Sequence, residues 1–239
     1  MISLRSRWTV AVAVCSATFA AGDPPRPLPR ALPVASAPVR KPSVLEVVAA
    51  NYREQVGQVL KAPTLAAKAT DETFVAHPKV YDFLIEHPDR TALAWQRMKV
   101  PCVDITDLGK GQFYWSDGEG SELAWQAVGR FEHGIVWYAT GKVKAGTLMP
   151  SVPVRAVAVL HAPRAADKDT GAATFKPSIH VYMLSDSRLA TAALRVMGSS
   201  APKMAEQGAE QLLFFFSGVA RYLQDHPEKV GAALAPKQK

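Results

Sequence analysis

Cysteine is scarce in this chain. Its 239 residues hold two, Cys15 and Cys102, and the first lies in an apolar leader that is expected to be removed. A lone Cys102 allows no intramolecular disulfide, so the fold must rest on a packed interior. Nothing basic sits beside that thiol to lower its pKa, and it reads as a small buried hydrophobe. Long apolar runs are missing too. The one candidate, Trp8–Ala21, falls short of the about 20 residues a membrane-spanning helix needs. The body of the chain also lacks an excess of positive charge. Residues 1–42 carry Arg5, Arg7, Arg26, Arg30, Arg40 and Lys41 against Asp23, leaving +2 of the formal +7 for everything after them. That is no footprint for nucleic acid. No solenoid-period repeat is found, and no catalytic or metal motif. His77, His87 and His226 each precede a proline at a helix boundary, without zinc-site spacing. No residue receives a catalytic or metal-ligating role, and no cofactor is expected.

What is present begins with export. Arg5 and Arg7 open a basic start, Trp8–Ala21 supplies the apolar run, and Thr18-Phe19-Ala20 or Ala20-Ala21-Gly22 offers a small-residue cleavage site. Residues 1–22 are read as a signal peptide, cleaved near Ala20–Gly22, which places the mature chain in a periplasmic or secreted setting. Val14 is too bulky for lipoprotein processing at Cys15. Residues 23–42 hold seven prolines among Ala, Arg and Val; such a segment favours extended polyproline II and cannot form a core. It is a linker, with peripheral membrane or envelope contact as one use.

Periodicity organises the remainder. Ser43–Leu60 reads as a helix, capped by Ser43 and Glu46, with Val44, Val47, Val48, Tyr52, Val56, Val59 and Leu60 on one face. Residues 43–69 form this helix and a connector, and 70–239 the main domain. Thr70–Val75 reads as a strand, followed by two short helices opened by Pro78 and Pro88. From Pro101 to Leu184 the period is two, giving six strands: Pro101–Asp107, Gln112–Ser116, Glu122–Phe131, Ile135–Val143, Val152–His161 and Ser178–Leu184. Gly-bearing turns make the first four antiparallel neighbours. The loop 163–177 reads as a mobile hairpin end. A short helix, Arg188–Met197, precedes a long amphipathic one over Ser200–His226, whose apolar half is wide enough to require a sheet as partner.

Alternation assigns the sheet faces. The inner face collects Val103, Ile105, Phe113, Trp115, Leu123, Trp125, Ala127, Phe131, Ile135, Trp137, Ala139, Val154, Ala156, Ala158, Leu160, Ile179, Val181 and Met183. The strands' titratable residues fall on the other, solvent side, where His161 and His180, with Tyr182 and Arg155 nearby, are expected to face each other. Acid–base chemistry needs a titratable group inside a pocket, and the inner face offers none. Its tryptophans stand beside small residues, which leave volume. Either Leu212, Phe215 and Phe216 of the long helix fill that volume, or an apolar ligand does. The candidate cavity wall is Trp115, Trp125, Trp137, Ala127, Ala139, Ala156, Ala158, Met183, Leu212, Phe215 and Phe216. Phe214 alone breaks the polar half of the long helix. It reads as a cover for the Ser43–Leu60 helix, or as a surface for a partner or membrane.

The order of strand, two short helices, six antiparallel strands and long helix resembles the helix-grip fold of the START-like (SRPBCC) superfamily, which includes Bet v 1-type proteins, polyketide cyclases and lipid-transfer domains. Phe74-Val75-Ala76-His77-Pro78-Lys79-Val80-Tyr81-Asp82-Phe83-Leu84, with Trp95 further on, is similar to that superfamily's opening strand, proline turn and aromatic-bearing helix. The resemblance covers residues 70–226. The helices at 43–60 and 188–197 depart from it and leave other sheet-plus-helix folds open, such as the NTF2-like cone. It implies an α+β fold, a seven-stranded curved antiparallel sheet wrapped on the C-terminal helix, with an extra N-terminal helix. It also implies a sheet–helix cavity for a hydrophobic small molecule or lipid. The alternatives are an enzyme of the cyclase or hydrolase type, and a ligand-free envelope protein acting through its surface.

Overall fold

The computed structural model describes residues 43–144, 150–167, 171–187 and 200–237. In chain order the elements are α1 (Val44–Val47), a 3-10 turn (Ala50–Tyr52), α2 (Arg53–Lys61), β1 (Leu65–Thr70), β2 (Phe74–Ala76), α3 (Pro78–Glu86) and α4 (Pro88–Arg97). Then come β3 (Ile105–Gly109), β4 (Gln112–Ser116), β5 (Glu122–Phe131), β6 (Gly134–Val143), β7 (Val152–His161), β8 (Arg164–Ala166), β9 (Ala173–Phe175) and β10 (Ser178–Leu184). The chain closes with α5 (Ser200–Asp225), a 3-10 turn (Pro227–Lys229) and α6 (Val230–Leu234). Seven strands form one antiparallel sheet in the order β1-β10-β7-β6-β5-β4-β3, and β2, β9 and β8 form a small second one. The first strand thus pairs with the last, and the meander from β3 to β7 continues from there. With α5 against one face, this is the helix-grip arrangement, α+β as expected.

Turn chemistry and alternation build the sheet. Lys110 and Gly111 both adopt positive φ, 54° and 74°, as a two-residue hairpin turn with the strands' own twist requires. On the inner face, Ile135, Trp137, Leu160 and Ile179 pack with Leu213, Phe216, Val219, Ala220 and Leu223 of α5. Burying each large side chain contributes about 1.5–3 kcal/mol. Tyr81, between Phe74 and Phe175 with ring centroids at 5.3 and 4.8 Å, ties α3 to the small sheet. Burial, more than the nearby Asp71 and Asp82, drives the Tyr81 hydroxyl well above its ordinary range.

Several expectations need correction. The strand placed at Thr70–Val75 is two strands: β1 joins the main sheet beside β10, and β2 turns away to pair with β9. The loop at 163–177 contains β8 and β9 for the same reason, since β2 needs a partner. β3 starts at Ile105, and Val103 is 47% exposed because the preceding residues stay with α4, where Gln96 Nε2 donates to Asp104 Oδ1 at 3.0 Å. The Ser43–Leu60 helix keeps its capping box, with Ser43 N–H donating to Glu46 Oε2 at 2.8 Å. It breaks at Val48, which turns extended and bridges Gly129. The helix expected at Arg188–Met197 lies outside the described residues.

The outer sheet face is a second core rather than a solvated surface. Val48, Val56 and Val59 bury Val128, Val136, Tyr138, Val157 and Val159, because the outward positions of β6 and β7 include valines that need a cover. A β-bulge between Ala127 and Gly129 shifts the register of β5 against β6. One extra residue inverts the alternation beyond it. Phe131, assigned inward, therefore packs with the outer core. Arg130 instead pairs in register with Ile135 and reaches Glu86 of α3 at 2.8 Å.

Candidate functional site

Every strand residue of the expected wall lies on the face that meets α5. Across the sheet, Trp125 stands opposite Ala139, Ala139 opposite Ala156, and Ala156 opposite Met183. Ala127, Trp137 and Ala158 form the next rung. The rungs differ in packing. Trp137 is 6% exposed and stacks on Phe216, centroids 5.8 Å apart and planes 14° apart, while Phe215 meets Phe216 edge-on at 4.9 Å. That part of the interface is filled. Toward the other end, Trp115, Trp125, Ala139, Ala156, Met183 and Leu212 are half-buried; on the Trp137 rung itself Ala158 and Phe215 are half-buried and Ala127 is exposed. Trp125 lies 5.9 Å from Phe113. Trp115 Nε1 is out of contact with water and has no hydrogen-bond partner among the described residues.

Phe214 does not cover α1 and α2. It is 54% exposed and stacks on Trp95 of α4 at 5.5 Å, since α4 flanks the side of α5 that Phe214 occupies. The outer-face cluster also separates. His161 pairs in register with Ser178 and His180 with Val159, so the two histidines are offset, not opposed. His161 packs on Phe131 at 4.5 Å. Tyr182 Oη lies 3.4 Å from His180 Nδ1, and burial, then Lys68, lowers the His180 pKa. Arg155 is committed elsewhere, donating to Gln58 Oε1 and Asp186 Oδ2, both at 2.6 Å. Cys102 is half-buried, and burial raises its pKa. Among the described residues, no group of three His, Cys, Asp or Glu side chains converges as a metal site would require.

Two cavities were not visible in the sequence. One, of about 700 Å³, lies between α3, the last turns of α5 and α6. The other, of about 220 Å³, lies where the β5–β6 hairpin meets α3 and β8. Its charged residues neutralise one another: Arg164 bonds both carboxylate oxygens of Asp82, at 3.0 and 2.8 Å, and Arg130 meets Glu86. Neither cavity is lined by a residue of the expected wall. The sequence signal for the larger one was slight: Val230 and Leu234 are four apart in a helix that reads as a weak final turn, and only the tertiary return of that turn beside α4 frames an open volume against α3.

No family model matches the chain, and no curated protein sequence matches it. Among solved structures it is similar to the crystal structure of Ara h 8.0201, a Bet v 1 family allergen. The identity is 14% and the TM-score 0.38, over 67% of this chain and 99% of that one.

Proposed function

We propose that this chain is an exported domain that binds a hydrophobic small molecule or lipid between the sheet and α5, at the tryptophan-bearing end of the inner face, without covalent chemistry. Export rests on the basic start and apolar run of residues 1–22. The observation that carries the binding site is the indole N–H of Trp115, without a partner among the described residues and shielded from water on a wall whose neighbours are half-buried. A buried donor left unpaired costs about 1–3 kcal/mol, and a ligand acceptor would recover it. The wall around it is aromatic and aliphatic, which suits a largely hydrocarbon ligand with one acceptor.

The test is native mass spectrometry of the mature chain from its own host, followed by organic extraction. A retained mass released by the solvent is expected. It should fall in Trp115→Phe, which keeps the ring area and removes the donor, and vanish in Ala139→Leu, which narrows the wall. An unliganded mass that takes up nothing from a lipid mixture would overturn the reading.

A further inference from the structure

We infer that the larger cavity, between α3, the end of α5 and α6, is a second and separate site that takes the hydrocarbon chain of a single-chain anionic amphiphile, with its head group at Lys79. The cavity's volume of about 700 Å³ falls inside the about 300–1,000 Å³ typical of ligand sites. Its walls are apolar: Val80 and Phe83 from α3, Leu223 from α5, Val230 and Leu234 from α6. A polar ligand would find few partners there.

The polar lining is confined to His77, Lys79 and Gln224, and no carboxylate lines the cavity. Of the acids nearest in sequence, Asp225, beside Gln224, is exposed and makes no ion pair among the described residues, and the other three have partners. Asp82 bonds Arg164, Glu86 bonds Arg130, and Glu228 lies 3.7 Å from His226. Among the described residues Lys79 makes no ion pair. An apolar volume with a free cation at its edge is complementary to a hydrocarbon chain ending in an anion.

The α6 wall of this open cavity is anchored. Arg97 of α4 gathers the carbonyls that end α6, donating to Ala232, Ala233 and Ala235 at 2.7–2.8 Å and to Pro236 at 3.3 Å. Arginine is suited to this, with several donors in one rigid fork. At the other end of the segment, Lys229 Nζ donates to Tyr222 Oη at 2.9 Å. These two anchors hold α6 over the cavity. The site shares no lining residue with the tryptophan wall, so it stands or falls independently of the function proposed above.

Methyl NMR titration of the full chain with dodecanoate and with dodecanol tests this. Dodecanoate should shift the methyls of Val80, Leu223, Val230 and Leu234, and bind at least tenfold more tightly than the alcohol. Lys79→Glu, an exposed change that leaves the apolar walls intact, should abolish that preference while dodecanol binds as before. Gly231→Leu, at a lining position where a Cβ meets nothing within 4 Å, should weaken both ligands. Ala139→Leu, on the tryptophan wall, should alter neither. Shifts confined to Leu123, Val181 and Leu212, or equal affinity for acid and alcohol, or no binding of either, would overturn the assignment.

Discussion

Trp95 of α4 fits a notch that Gly218 opens in α5. A Cβ at Gly218 would stand 2.7 Å from Cζ2 and Cη2 of the indole and 3.2 Å from the Phe214 ring. In that position the indole Nε1 donates to the carbonyl of Phe215 at 2.9 Å. Glycine in a helix interior ordinarily costs about 0.5–1 kcal/mol relative to alanine, and here the indole's packing and hydrogen bond offset it. Gly218→Val should destabilise the protein by about 1–3 kcal/mol through overpacking. Gly208, on the same helix with nothing within 4 Å of its Cβ position, should behave oppositely, Gly208→Ala stabilising by about 0.5–1 kcal/mol. Urea denaturation of both variants decides it; two changes of the same sign would refute the notch.

Gly129 has a similar role at the outer face. Its Cβ would lie 2.8 Å from the Val47 carbonyl oxygen and 3.2 Å from Val48 Cα, where backbone rather than a mobile side chain would have to move. The bulge beside it leaves the Val128 carbonyl free to accept from Ala49 N–H at 2.8 Å. Gly129→Ala should destabilise by about 1–3 kcal/mol and expose the Ala49 amide to hydrogen exchange, while amides in β10 keep their protection. Unchanged exchange at Ala49 would show that the approach tolerates a methyl group.

Asp117 closes the β4–β5 turn. Its Oδ1 accepts from the amides of Glu119 at 2.7 Å and Ser121 at 2.9 Å. Hydrogen bonds from Ser121, with help from the Glu119 and Gly120 amides, lower its pKa from 3.8 to about 2. A carboxylate depressed in the folded state contributes stability that is complete above its unfolded pKa and is lost as pH falls through the folded value. The turn should therefore hold at pH 5 and loosen between 3.8 and about 2. A carbon-13 titration of the Asp117 carboxyl should show a midpoint near the lower value, and the Glu119 and Ser121 amides should follow it. A midpoint at 3.8 would mean that these bonds do not form in solution.

The sheet and α5 were legible because their signals are local. Alternation over ten residues of β5 and β6, and a wide apolar face on Ser200–Asp225, need no tertiary information. Legibility stopped where a long-range contact decides the outcome. The bulge at Val128 follows from the approach of Val47 and Val48, which lie some eighty residues earlier in the chain, and it sent Phe131 and Arg130 to the faces opposite those expected. The split of β1 from β2 depends on β9 being available as a partner. The candidate wall was found by alternation, but its division into a filled rung at Trp137 and a half-buried one at Trp115 depends on where Phe215 and Phe216 land. The cavity at α6 was missed because its walls come from three segments, none with a pattern of its own.

Trp137 and Tyr138 are consecutive residues on β6, yet one belongs to the core under α5 and the other to the core under α1 and α2. The sheet is thus a partition between two separate cores. The layer under α1 and α2 is built on residues 44–60, joined to the rest by a valine-rich face, the bridge at Gly129 and hydrogen bonds from Arg155 to Gln58 and from Ala49 to the Val128 carbonyl. It can peel away while the compartment under α5 stays closed. Hydrogen exchange faster at the amides of α2 than at those of α5 would mark that event, and unfolding of this chain is expected in two steps rather than one.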